Sequence, residues 1–395
     1  MIGKQIIELA EKHFGLMVEL RRHLHKNPEL SFKEFETSKF IKTNLSEWGI
    51  SYTDNWVETG IVAEIEGRLE SEKTFALRAD IDALPIKEIE GRSYGSQNEN
   101  VMHACGHDVH STCLLGAIKI LNDLKDYWGG TVKCIFQPGE EKLPGGASLM
   151  IKEGLIDHLN SSGIVGQHVH PPLAVGKVGF HPGSYMASAD ELYVTITGKG
   201  GHAALPGNVL DPIAIASQLI LDLNELEQNL HEEQNPIVLS IGKFNTVGGA
   251  TNVIPDQVKL EGTFRAMDET KRYAAHKEML QLSKDLSSKT GGTIEMHIIK
   301  GYPVLYNDPS LTEKCIALAE ELIGTDNVVR LPKRMTSEGF SFYSQEMPGC
   351  FYRLGTGNTE KGIISPVHTP TFDIDEEALK VGAAMMAFLA VENLK

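Results

Sequence analysis

Val132-Lys133-Cys134-Ile135-Phe136-Gln137-Pro138-Gly139-Glu140-Glu141 is an apolar run that stops at a proline-glycine turn and then presents two adjacent carboxylates. The run from Val132 to Phe136 reads as a buried strand, so the glutamates stand where a strand of an α/β sheet ends, which is where such sheets place their sites. Adjacent side chains diverge, so one carboxylate can bind a metal while its neighbour moves a proton.

Upstream lies His103-Ala104-Cys105-Gly106-His107-Asp108-Val109-His110, three imidazoles, a thiol and a carboxylate with almost no bulky apolar content. Cys105 and His107 are one residue apart, so an extended or looped backbone could turn both toward one point. Thiolate and imidazole together suit zinc, cobalt, nickel or manganese; the alternative is a packed thiol beside solvated histidines. Donors recur in Leu77-Arg78-Ala79-Asp80-Ile81-Asp82, in Gly166-Gln167-His168-Val169-His170-Pro171, which reads as closing a short strand, and in the stiff loop Pro366-Val367-His368-Thr369-Pro370. Such clusters at strand ends and in stiff loops favour a metal site.

The chain carries, in order, Arg78-Ala79-Asp80-Ile81-Asp82-Ala83-Leu84-Pro85, His103-Ala104-Cys105-Gly106-His107-Asp108, Gln137-Pro138-Gly139-Glu140-Glu141, Gly166-Gln167-His168, Gly200-Gly201-His202-Ala203-Ala204, Asn252-Val253-Ile254-Pro255, Gly262-Thr263-Phe264-Arg265 and Val367-His368-Thr369-Pro370. In these it resembles the aminoacylase, hippurate hydrolase and indoleacetyl-amino-acid hydrolase family of dinuclear metallopeptidase-like amidohydrolases, over essentially its whole length. The resemblance implies two divalent ions (Zn, Mn, Co or Ni) on five ligands. Cys105 would bridge, His107 and His168 would hold one ion, and Glu141 and His368 the other. A nucleophilic Cys105 with His107 as base is the competing reading, but an i, i+2 neighbour is poorly placed for that role.

Glu140 is the expected general base, taking a proton from the attacking water and later passing it to the leaving amine. Asp82 is expected to orient a ligand or tune the charge of the site. Asp80 is a possible partner rather than a ligand, and His103, His110 and His170 are expected to be structural or solvent-facing. By the same resemblance, His202 would bind the oxyanion of the tetrahedral intermediate, often across a dimer interface, while Asn252 and Arg265 would hold the substrate's carbonyl and α-carboxylate. Two departures bear on substrate preference rather than chemistry. Glu338-Gly339-Phe340 stands where relatives commonly read Glu-Asp-Phe, and Lys142-Leu143-Pro144-Gly145-Gly146 where they often have a glycine-rich run.

The pattern of elements is that of an α/β fold. Residues 6–24, 32–48, 111–124 and 147–152 read as helices, and 61–65, 74–79, 131–136 and 164–167 as strands, giving a catalytic domain with a mixed sheet flanked by helices. From residue 187 the order becomes strand 191–197, helix 211–230, strands 237–243 and 257–264, helix 269–288 and strand 293–299, a ferredoxin-like α+β module. The expected domains are therefore a catalytic part over 1–186 and 301–395, with an inserted lid and dimerisation domain over 187–300. A final helix over 375–393 could be capped by Asp375.

Length and composition agree with a two-domain enzyme: 395 residues, 41% hydrophobic and 23% charged. The balance of 37 basic against 53 acidic residues, a net −16, argues against a nucleic-acid partner. Five cysteines (105, 113, 134, 315 and 350) without disulfide-like spacing fit a reducing cytoplasm. The segment 1–20 lacks the apolar stretch of a signal peptide. The apolar stretch 381–391 is too short to span a bilayer and reads as a buried face of the last helix, so no membrane is expected. The expected partners are a small-molecule N-acyl amino acid as substrate and a second copy of the chain. A dipeptidase or carboxypeptidase on the same scaffold is the nearest alternative, and a non-catalytic metal-containing binder the more distant one.

Overall fold

The computed structural model describes residues 2–395 and divides the chain into two compact units. The larger runs up to Gly183 and takes in Tyr306–Pro332 and Gly339–Lys395; the smaller comprises Ser184–Leu305 and Lys333–Glu338. The chain thus enters the smaller unit twice, the second time for a short segment within the stretch that sequence reading gave wholly to the catalytic domain.

The larger unit is built on an eight-stranded mixed sheet. Its centre is four mutually parallel strands in the spatial order Gly129–Gln137, Leu69–Asp80, Ile164–Ala174 and Gly349–Gly357. Antiparallel strands flank them: Gly60–Glu66 pairs with Gly129–Gln137, and Val178–Phe180 with Gly349–Gly357. Because the central four run the same way, their C-terminal ends share one edge, and the acids and histidines of the sequence motifs collect there.

Alternation along a strand sends successive side chains to opposite faces. Gly166 abuts Phe340, which precedes the short helix Ser341–Glu346, whereas its neighbour Gln167 reaches Gly382 on helix Ala378–Asn393. That helix is buried on nearly every side from Gly382 to Val391, so the expected single buried face is replaced by an all-round apolar core helix. A Cβ on Gly382 would lie 2.4 Å from Cys113 Sγ and 2.9 Å from Leu354 Cδ2. Helix propensity alone would reward Gly382→Ala by about 1 kcal/mol, but overpacking costs about 1–3 kcal/mol. The variant is expected to show a lower midpoint in urea denaturation, and a higher one would mean that this contact is loose.

Several boundaries differ from expectation for local reasons. The helix expected over 6–24 is two, Ile2–Lys12 and Phe14–Lys26, meeting at His13, whose backbone leaves the helical region (φ −93°, ψ 5°) and whose ring is tied to Asp123 at 2.9 Å. The helix expected from residue 111 is His107–Asp123, starting directly after Gly106. The strand expected over 164–167 continues to Ala174, so His168 and His170 are strand residues. The last helix begins at Ala378 rather than at Asp375, whose carboxylate accepts the Glu377 N–H at 3.2 Å while also bonding Asn358 (2.6 Å) and Lys361.

The smaller unit has the strand order Ile237–Val247, Gln257–Ala266, Asp190–Thr197, Thr293–Lys300, all antiparallel. With helices Pro212–Leu230 and Glu269–Thr290 this is the ferredoxin-like arrangement. Period-2 burial in Asp190–Thr197 points Leu192, Val194 and Ile196 at helix residues such as Leu219, Leu223 and Met279. Asp211 and Asp268 cap the two helices by accepting backbone N–H groups at 2.8 Å. Among the described residues, no helix is long and apolar enough to cross a membrane, and all five cysteines are free and buried.

Candidate metal centre

Gly106 decides the geometry of the first donor pair. It sits at φ +83°, and a Cβ there would lie 2.6 Å from Val169 Cγ2, so this position favours glycine twice over. The chain turns at Gly106 straight into a helix, which puts Cys105 before the turn and His107 on the first helical residue rather than both on an extended segment. His368 is brought to the same point by its own backbone, whose N–H donates to the Ala104 carbonyl at 2.7 Å. Its φ of +61° is the left-handed region, a strained conformation that functional sites often retain.

Donor atoms converge in two groups that share the thiol. Cys105, His107 and His168 form one, and Cys105, Glu141 and His368 the other, with the ligand atoms of each within 4.8 Å of one another. Cys105 Sγ is 3.4 Å from His168 Nε2 and 3.2 Å from His368 Nε2. Glu141 Oε1 is 3.4 Å from His368 Nε2 and 3.8 Å from His107 Nε2. The cluster is buried on the His107 side and opens at His368, whose side chain is 51% exposed.

Tautomers follow from the outer hydrogen bonds. His107 Nδ1 lies 3.0 Å from Asp82 Oδ1, and His168 Nδ1 2.8 Å from the Val169 carbonyl, so each Nδ1–H donates outward and each Nε2 turns a lone pair inward. His107 Nε2 and Glu141 Oε1 are buried without a hydrogen-bond partner among the described residues. A buried imidazole nitrogen and a buried carboxylate oxygen left unpaired beside a thiol are costly unless a proton or a metal cation lies between them, and this set of nitrogen, oxygen and sulfur donors fits divalent ions. Burial, then the Arg353 charge, holds His168 well below the usual imidazole value, which keeps it a neutral donor. Burial and then Glu141 push the Cys105 thiol well above its usual value, whereas a divalent cation beside it would hold the thiolate.

Asp82 links ligand and loop. Its Oδ2 accepts the Ser31 hydroxyl at 2.6 Å and the Glu141 backbone N–H at 3.0 Å, while Oδ1 orients His107. Asp82→Ala is expected to weaken divalent-ion binding about 10- to 100-fold in competition with a fluorescent chelator. An unchanged affinity would rule out this orienting role.

Glu140 is only 7% exposed, and its Oε1 accepts the Gly339 N–H at 2.7 Å. Glycine at 339 is thus in contact with the expected base: a Cβ there would come within 3.3 Å of Glu140 Cγ and Oε1. Lys142 and Pro144 are exposed, on a loop whose Gly146 N–H closes onto the Gly139 carbonyl at 2.9 Å.

Of the histidines expected to be structural or solvent-facing, His110 and His103 are buried and His170 is half-buried. His110 is wholly inside, its Nδ1 2.6 Å from Asp80 and its Nε2 accepting the Val169 N–H at 2.9 Å, so it is spent on structure. His103 is also buried, and burial pulls it down to about 4. Asp80 is 3.7 Å from His107 Nε2 and salt-bridged to Arg78 at 2.7 Å. That buried pair was missed from sequence, although an arginine inside an apolar strand two residues before an aspartate was the available signal.

His202, Asn252 and Arg265 lie in the smaller unit. A two-residue ladder, Gly201–His202 against Val253–Ile254, and the Ala203 N–H on the Asn252 carbonyl (3.0 Å) bring the first two together. His202 is exposed, and its Nδ1 accepts the Ala204 N–H at 3.1 Å, which leaves the proton on Nε2 as a donor. Arg265 is half-buried on Gln257–Ala266 and donates to the Thr263 hydroxyl at 2.7 Å.

The profile of Peptidase family M20/M25/M40 matches residues 76–392, a span that includes every donor of this centre. The chain belongs to this family. Over 402 residues it is 37% identical to IAA-amino acid hydrolase ILR1-like 4 of Arabidopsis thaliana, covering all of this chain and 89% of that one. It is 38% identical to N-acetylcysteine deacetylase of Bacillus subtilis, covering 97% and 98%. The crystal structure of Bacillus subtilis YxeP, described as a dinuclear metal binding peptidase from the M20 family, superposes with a TM-score of 0.84 at 35% identity, covering 97% of this chain and 99% of that one. As a member of the M20 family the protein is a hydrolase of amide bonds.

Proposed function

We infer that this M20 hydrolase cleaves the amide of N-acyl amino acids, releasing a carboxylic acid and a free amino acid. The observation that carries the reading is the pair of donor groups sharing Cys105, with the buried carboxylate of Glu140 beside them. Cys105, His107 and His168 would hold one divalent ion and Cys105, Glu141 and His368 a second. Bound there, such ions would polarise the amide carbonyl and lower the pKa of water.

The chain's own groups do the rest. Glu140, oriented through Oε1 by the Gly339 N–H, takes the proton as water oxygen bonds to the acyl carbon, and returns it to nitrogen as the C–N bond breaks. The N–H of His202 Nε2 from a second copy of the chain would donate to the oxyanion that develops on the acyl oxygen. Arg265 pairs with the α-carboxylate and Asn252 with the carbonyl. In this reading the smaller unit acts as a lid and joins two copies. Tyr193, Phe244, Val247 and Ile299, exposed on its strands, are apolar surface suited to such an interface.

A dipeptidase or carboxypeptidase is the second reading, favoured by the family's description as peptidases. Protein stripped with chelator and reloaded separately with zinc, manganese, cobalt and nickel separates the two. Against N-acetyl, N-benzoyl and N-lauroyl amino acids and dipeptides, the expected result is metal-dependent release of amine from the acylated amino acids. Release from dipeptides alone would move the assignment to the peptidases.

A further inference from the structure

Glu34 is a fully buried carboxylate that none of the chemistry above employs. It immediately precedes helix Phe35–Glu47, and its Oε1 accepts two backbone N–H groups, from Gly139 at 2.8 Å and Phe32 at 2.9 Å. Oε2 accepts the Thr59 hydroxyl at 2.8 Å. The Gly139 bond reaches across 105 residues to the residue just before Glu140.

Independent contacts tighten the same loop. Gly139 is at φ +54°, and a Cβ on it would sit 2.4 Å from the Phe32 ring, so the ring is packed flush against the backbone. Phe32 itself is at φ +63°, a left-handed conformation unusual for an aromatic residue. The Gly139 carbonyl is held by the Gly146 N–H at 2.9 Å, and the Glu141 N–H by Asp82, which Ser31 in turn holds. The segment Ser31-Phe32-Lys33-Glu34 therefore holds the backbone directly at Gly139 and, through Asp82, at Glu141.

We propose that Glu34 is a positioning residue: through the Gly139 N–H it sets the backbone direction from which the base Glu140 and the donor Glu141 diverge. The proposal rests on the reading of Glu140 as base. The acceptor at Oε1 matters here, and the charge does not. Burial, and then Asp82, push the Glu34 carboxyl up to about 7, so the neutral acid is populated near neutrality, where it still accepts at Oε1 and can donate to Thr59. Glutamine can do the same, because its amide oxygen accepts and Thr59 can turn to receive its N–H.

Hydrogen exchange read by mass spectrometry and steady-state kinetics, both on the metal-loaded protein, test this with Glu34→Ala, Glu34→Gln and Thr59→Val. Glu34→Ala is expected to speed amide exchange across 137–146 at least tenfold. It should lower kcat about 10- to 100-fold with KM within about threefold, because displacement of a reacting group by about 1 Å costs rate rather than binding. Glu34→Gln should stay within about threefold of wild type in both readouts, with Thr59→Val between the two variants. Unchanged exchange or unchanged kcat in Glu34→Ala would overturn the proposal, as would a Glu34→Gln protein as impaired as Glu34→Ala. If Glu34→Ala does not fold, wild-type exchange and kcat in Thr59→Val overturn it. Should wild type turn over no acylated amino acid, the reading of the site fails, while exchange at Gly139 still decides whether Glu34 clamps the loop.

Discussion

Glu140→Gln is expected to lower kcat by about 10²- to 10⁴-fold, the range a positioned acid–base group supplies, with KM and metal content unchanged. The substitution is nearly isosteric, and its amide oxygen can still accept the Gly339 N–H that Oε1 accepts at 2.7 Å. Local structure should therefore survive while the ability to carry a proton is lost. Because the same group is asked to take a proton from water and give it to the leaving nitrogen, both halves of the reaction suffer. An intact fold and full metal content with retained turnover would remove Glu140 from the mechanism. A fall in metal content would instead make it a ligand, which its place beside His107 and Glu141 in a third donor group makes worth measuring.

Cys105→Ala should have the second large effect, and on a different readout. Cys105 Sγ belongs to both donor groups, with His168 and His368 nitrogens at 3.4 and 3.2 Å. Its loss leaves two donors in each. Removing a residue that merely orients a ligand costs about 10- to 100-fold in affinity; removing a shared ligand should exceed that, so metal analysis after dialysis should find both ions depleted and activity lost with them. His168→Ala and His368→Ala each remove a donor from one group only and are expected to deplete one ion preferentially. A Cys105→Ala protein that keeps full metal content but loses all turnover would revive the nucleophile reading.

The strand-end motifs were legible in the sequence because each compresses its signal into a few residues. The run Val132 to Phe136 followed by Pro138 and Gly139 announces a buried strand and its end, so Glu140 and Glu141 could be placed without tertiary information. Period-2 and helical patterns likewise announced the ferredoxin-like order of the smaller unit. Asp190 shows the limit. It stands just before the strand expected over 191–197, and it is buried among Arg272 (2.9 Å), His276 (2.7 Å) and the Gly301 N–H (3.0 Å). Partners 82 to 111 residues away leave no periodic trace in sequence.

The sequence by itself determined most of the elements up to residue 300, the two kinds of sheet and the chemical types of the donors, since these depend on local hydrophobic period, turn residues and side-chain chemistry. Tertiary structure alone decided that His103 and His110 are buried and that Glu34, Ser31 and Gly339 hold the glutamate loop. The reason is geometric. A hydrogen bond or a shared ligand fixes a distance between residues remote in the chain, and that distance is set by how parallel strand ends are packed side by side, not by the residues that flank each donor.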